Sequence, residues 1–300
     1  MFANASLSFT RRDPLSYLLL VAVGCLVALM LPLARLAMEH GLNALAYAFW
    51  QALGGGVLLW LWSGRGGSSV PFRQTRRYYL VSGVTAIALP NALAFLVVEQ
   101  VGAGLTATLY ALPSLATYAL SVVVRLERLK LLRALGLMLG VLGCVRILSP
   151  DTEGVGPEML PWLMLGLLVP VSLAIGNVYR TVAWPDGATG RQLAPGMLLA
   201  GAMVLLPVLI VQGQLADLLV PNWTVFLVLC FQAGVSALTY RLFFELQRRT
   251  SPVFLSQIGF VVAPVGLVLG YLMFGERFGL DVWLGVGVLM VGVLLANRHN

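Results

Sequence analysis

The chain has 300 residues, 59% of them hydrophobic and 10% charged, and carries a net charge of +7. A soluble domain is about 25% charged, and the apolar runs here recur too densely for a water-facing fold to bury. That balance excludes a soluble enzyme or binding module and points to a polytopic membrane protein.

In chain order, apolar segments predict ten spans at 15–38, 43–63, 77–99, 103–124, 131–149, 158–182, 190–212, 222–247, 251–274 and 279–297. Each is close to the ~20 residues that cross the hydrocarbon as a helix. They are continuously apolar rather than alternating, so an all-α bundle is expected and not a barrel. The chain then divides into an N-terminal segment (1–14), a five-span half (15–149), an outer linker (150–157), a second five-span half (158–297) and a short tail (298–300).

The basic residues set the orientation. With both termini inside, Arg11, Arg12, Arg65, Arg73, Arg76, Arg77, Arg125, Arg128, Lys130, Arg133, Arg180, Arg191, Arg248, Arg249 and Arg298 all fall on the inner side. Arg35, Arg146 and Arg277 fall outside, and Arg241 lies within the eighth span. This bias supports an N-in, C-in arrangement and accounts for the net charge without a nucleic-acid partner. Most tryptophans (Trp60, Trp62, Trp162, Trp184, Trp223, Trp283) sit near span ends, where amphipathic rings collect.

A repeated phrase links the halves. "LPSLATYALSVVVRLERL" and "APVGLVLGYLMFGERF" each set a proline in an apolar run that closes on Glu-Arg. Aligning Glu127-Arg128 on Glu276-Arg277 gives an offset of 149, which also carries Gly136 onto Gly285 and Gly143 onto Gly292. Arg35 and Arg180 occupy similar places near the end of each half's first span. An odd number of spans per half makes the second copy run upside down, an inverted repeat of the kind found in carriers. The Pro-to-Glu spacing is fourteen in the first half and twelve in the second, so the two prolines are not strict symmetry mates.

On these motifs and this ten-span plan, the chain resembles the ten-helix, EamA-like exporter branch of the drug/metabolite transporter superfamily, and within it the YddG type of aromatic amino-acid exporter. The resemblance spans essentially the whole chain. It implies a secondary transporter of small metabolites, aromatic and other apolar amino acids in particular, in the bacterial inner (plasma) membrane.

Pro113 and Pro264 lie near the middle of the fourth and ninth spans. A helix-interior proline removes a backbone hydrogen bond, so both are candidate hinges for alternating access. Pro32, Pro90 and Pro170 place further irregularity around the same region. Polar residues at membrane depth face a bundle interior or a cavity, and on this ground Asn91, Tyr110, Ser114, Asn177, Ser236, Tyr240, Gln257 and Phe260 are candidate lining residues. Their aromatic members suit substrates with flat or apolar side chains. Arg35 with Glu39, and Arg241 with Glu245, are spaced i,i+4 as possible ion-pair latches.

No carboxylate is expected at mid-membrane. Glu127 and Glu276 read as caps or loop anchors. Cys25, Cys144 and Cys230 show no metal-ligand spacing, the two histidines lie at a loop and the terminus, and no catalytic motif appears. No catalytic residue, metal or cofactor is therefore expected, and the partners are a small-molecule substrate and the bilayer, with the protein a monomer. Carriers of sugar phosphates, nucleotides or drugs are the alternatives within the same fold. A channel is the alternative outside it.

Overall fold

The computed structural model describes residues 13–63, 70–147 and 156–297. The expected N-terminal segment (apart from its last two residues), most of the linker and the expected tail lie outside the described residues.

Within them the chain is helical. The elements are α1 (Pro14–Glu39), α2 (Ala44–Ser63), α3 (Phe72–Val101), α4 (Ala103–Val123), α5 (Leu131–Ile147), α6 (Pro157–Val182), α7 (Gly190–Val211), α8 (Trp223–Arg249), α9 (Pro252–Phe274) and α10 (Leu280–Asn297). Eight are long and apolar enough to cross a membrane on their own. The other two, α5 with 17 residues and α10 with 18, pack against each other and complete an integral-membrane bundle of ten.

Helix ends follow local chemistry. Asp13 caps α1 by accepting from the Ser16 amide at 3.0 Å, with Pro14 at the first helical position. Gly102, at φ 94°, turns α3 into α4 with no intervening loop. Gly275, in the left-handed region, closes α9, with the Glu276 amide donating back to the Gly270 carbonyl at 3.3 Å. That turn aims the Glu276 side chain at the start of α4.

Packing obeys the twofold relation between the halves. α2 packs on α7, α4 on α9 and α5 on α10, each helix meeting its counterpart. Exchanging the halves also turns α1–α8 into α6–α3, α2–α8 into α7–α3 and α1–α9 into α6–α4, and all these pairs are in contact.

The glycines give the relation at atomic detail. A Cβ at Gly143 would lie 2.6 Å from the Gly285 carbonyl oxygen, and one at Gly292 would lie 2.5 Å from that of Gly136. The offset of 149 carries the first crossing onto the second. Small residues there allow the close backbone approach that lipid-embedded helices need.

Four helices depart from regular geometry near the centre. α3 contains a π-type turn at Val84–Ala88, just before Pro90. α6 loosens at Leu167. α4 tightens at Leu109–Ala111 and restarts at Pro113, which lacks the amide that would continue the ladder.

α9 is interrupted at Gln257–Ile258, not at Pro264, which lies inside the regular segment Gly259–Phe274. The break follows from i→i+3 bonding, Gln257 to Phe254 and Ile258 to Leu255, and from Ser256 donating its hydroxyl to the Val253 carbonyl at 2.7 Å. α4 and α9 begin 149 positions apart, at Ala103 and Pro252, so the two interruptions fall at nearly equivalent places. Pro32 causes no break in α1.

Candidate functional site

The two interrupted helices cross at the centre. A Cβ at Gly259 would overlap the Tyr110 carbonyl oxygen, so the α9 backbone lies directly against α4 where both ladders are broken. Beside this crossing is a narrow cavity of about 80 Å³. It is lined by Val27, Met30 and Leu31 of α1, Gln51 of α2, Asn91 and Phe95 of α3, Tyr110 and Pro113 of α4, and Leu173, Asn177 and Arg180 of α6. Thr239, Tyr240 and Phe243 of α8 and Leu255, Ser256, Ile258 and Gly259 of α9 close it.

A polar string threads this lining. The Gln51 amide donates to the Met30 sulfur at 3.1 Å, and Asn91 donates to the Gln51 carbonyl oxygen at 3.1 Å. The Tyr240 hydroxyl lies against Asn91. Asn177 accepts from Arg180 at 2.7 Å and reaches Thr117 at 3.5 Å. Six helices, α1, α2, α3, α4, α6 and α8, thus meet through these side chains, in an interior where polar groups need partners or water.

Of the residues expected to line a cavity, Asn91, Tyr110, Asn177 and Tyr240 are brought together here, with Pro113 at the edge. Four lie elsewhere. Ser114 donates to the Ala111 carbonyl at 2.8 Å within its own helix. Ser236 is buried against Gly55 of α2. Gln257 is buried at the α9 interruption, outside the lining. Phe260 packs with Ala111, Tyr118, Leu137 and Cys144, against Gly140 of α5. Ser114, Gln257 and Phe260 lie at or just after the interruptions of α4 and α9, where the facing of an ideal helix no longer holds. Pro264 also lies outside the lining.

Arg180 differs most from its expected place. The sequence sets it with the inner-face cations; the structure buries it to 1% exposure and turns it into the cavity. Its guanidinium rests over the Phe243 ring at 4.7 Å and faces the Met197 sulfur at 3.7 Å, and Nε has no partner. Among the described residues it has no carboxylate within ion-pair distance, although Arg35, Arg133, Arg146 and Arg249 each have one. Gln51, Thr239 and Phe243 also belong to the lining. A polar residue at a buried helical position was the available signal for Gln51, and none distinguished Arg180 from its basic neighbours.

The ion pairs sit at the two faces. At the outer end, Arg35 pairs with Glu39 at 3.0 Å and, more closely, with Glu276, and lies 4.4 Å over the Phe274 ring. Glu276 also accepts from the Ala103 and Gly104 amides, both at 2.9 Å, capping α4 and tying it to α1 and the α9–α10 turn.

Among the described residues the inner face has no equivalent. Glu127, the counterpart of Glu276, pairs with Arg133 nearby, and α9 is capped by its own Ser251. Pro252 stands where the outer side has Ala103 and has no amide to offer. Arg241 does not pair with Glu245: it stacks over Trp62 at 4.4 Å, and Glu245 pairs with Arg249 at 2.6 Å.

The model of the EamA-like transporter family matches the chain twice, over residues 14–149 and 160–298. The two matches coincide with the two halves, as an internal duplication requires. A WAT1-related, chloroplastic protein of Arabidopsis thaliana (At3g02690) is 28% identical over 181 residues, which is 57% of this chain and 42% of that protein. The chain thus spans about two fifths of that relative's length. A solved crystal structure superposes with a TM-score of 0.67 at 15% identity, covering 94% of this chain and 96% of the other, a likeness of fold alone. The chain belongs to the EamA-like transporter family, within the drug/metabolite transporter superfamily, a membership that points to transport rather than catalysis.

Proposed function

We propose that the chain is a secondary transporter that exports small amphipathic metabolites, aromatic and other apolar amino acids above all, across the bacterial inner membrane by alternating access. The observation that carries this reading is the crossing of two interrupted, symmetry-related helices, Tyr110 against Gly259, beside a cavity lined by both polar and aromatic side chains. Broken helices meeting at the interface of two inverted halves are where carriers place their substrate.

The outer tie of Arg35, Glu276 and the start of α4, without an inner counterpart, supports a closed outer side and α4 and α9 as gating elements. At about 80 Å³ the cavity is narrow, so an aromatic substrate enters only when the helices part. One charged residue in the lining fits a sugar phosphate or nucleotide poorly.

The test is uptake into proteoliposomes of labelled phenylalanine, tryptophan, methionine, threonine and a sugar phosphate, with and without a pH gradient. Saturable amino-acid uptake that falls on Tyr240→Ala upholds the reading. Selective movement of the phosphate overturns the substrate class, and unsaturable flux of every solute overturns the carrier mechanism in favour of a channel.

A further inference from the structure

Among the described residues, the one cation lining the central cavity has no anion. The arginines that do form ion pairs among the described residues lie toward one face of the bundle or the other, with side chains 16–46% exposed, each beside an acidic partner. Arg180 is sealed in the interior with one strong acceptor, the Asn177 side-chain oxygen. Its Nε is unpartnered, Nη1 faces only a thioether sulfur, and the Tyr78 hydroxyl, near enough to feel the guanidinium, is also buried without a partner. A desolvated guanidinium without a counter-charge is costly to keep unless something occupies it. Here the unused donors gather beside the cavity that Arg180 lines.

We propose that Arg180 anchors the carboxylate of the transported molecule, so that the cavity takes monoanionic carboxylic acids whose remaining surface is largely apolar. This rests on the central cavity being the transport site. A guanidinium matches a carboxylate in plane, two N–H groups to two oxygens.

Charge decides between anions. Among the described residues no other charged residue lines the cavity, so one cation balances a carboxylate, whereas a phosphate monoester at about −1.5 to −2 would keep net negative charge in the interior. Phe243 and Tyr240 flank the anchor, and Phe95, Leu31 and Leu173 line the same cavity for the apolar part. Among the described lining residues no carboxylate awaits an ammonium group; the oxygens there are neutral, such as that of Gln51. The substrate's amine therefore contributes less than its carboxylate.

The test reads the thermal stability of the purified full chain in detergent with four probes: 3-phenylpropionate, phenylalanine, phenylalaninol and phenyl phosphate. The first two should raise the melting temperature saturably, phenylalaninol should not, and phenyl phosphate should act weakly. In Arg180→Met the affinity for 3-phenylpropionate should fall about tenfold or more, while the ligand-free melting temperature stays level or rises because an unpaired charge is gone. Arg180→Lys should retain part of the affinity, and it carries the comparison if the methionine variant does not fold.

The anchor is overturned if phenylalaninol binds as well as phenylalanine, if no carboxylate shifts the wild type, or if Arg180→Lys and wild type respond alike to the acid and the alcohol. Failure of the two readings can be told apart. Proteoliposomes that move no amino acid, with 3-phenylpropionate binding lost in the variant, sink the amino-acid assignment and keep the anchor. Saturable amino-acid uptake unchanged in Arg180→Met sinks the anchor and leaves the carrier standing.

Discussion

The Tyr110 carbonyl oxygen and the Cα of Gly259 lie so close that no side chain fits between them, and 149 positions separate the two residues. That is also the offset relating the two halves, so each residue faces its own symmetry mate. The pseudo-twofold axis therefore passes through the contact at which both α4 and α9 are interrupted. A mismatch there cannot be absorbed by a flexible side chain, because the obstacle is backbone.

Gly259→Ala should destabilise the fold by about 1–3 kcal/mol, the usual cost of forcing extra volume into packed structure, and Gly259→Val by more. Gly287→Ala is the control: a Cβ there has nothing within 4 Å. Thermal unfolding in detergent checks the pair, and equal melting temperatures for the two alanine variants would contradict the contact.

The α5–α10 seam makes a symmetric prediction. Gly143→Leu and Gly292→Leu meet exchanged versions of one crossing, against the Gly285 and Gly136 carbonyls respectively. Both should lose folded protein on extraction, and to a similar degree. A large difference between them would show that the halves do not share the seam equally.

Glu276→Gln keeps the size of the side chain while removing the charge that holds Arg35 and faces the two α4 amides. The outer end should loosen, so a cysteine introduced at Tyr110 in a cysteine-free background should react faster with a membrane-impermeant maleimide from outside. Glu127→Gln should leave that rate unchanged, since Glu127 pairs with Arg133 within its own corner. Identical labelling in wild type and Glu276→Gln would dismiss the tie as a gate.

Arg241→Ala tests the stack on Trp62. An exposed cation–π contact contributes about 0.5–1 kcal/mol, so the melting temperature should drop slightly while transport stays near the wild-type rate. A loss of transport as deep as that of an Arg180 variant would move the functional cation to the inner rim.

Some of this was legible residue by residue and some was not. Spans, orientation and the duplication come from local or additive signals: apolar length, counts of basic residues and a repeated Pro…Glu-Arg phrase. Glu276 as a cap was readable from its loop-edge position, although its reach to Ala103 and Gly104 was not. Tyr110, Pro113 and Ser114 share one face only on an unbroken helix; with the ladder interrupted at Leu109–Ala111, Tyr110 and Pro113 line the cavity and Ser114 does not. The interruption of α9 falls at Gln257–Ile258 rather than at Pro264 for a related reason. A proline marks where an amide is missing, while the break appears where another helix presses against the backbone.

Hydropathy and charge statistics by themselves determined a ten-span bundle in two opposed halves, because membrane insertion responds to the summed apolar length and charge of each segment. Tertiary structure alone decided which way each helix turns its polar side. Arg180 shows the distinction most plainly: two residues from the end of α6, it counts with the inner-face cations by position, and a rotation about the helix axis fixed by packing on α3 and α4 carries it into the cavity instead.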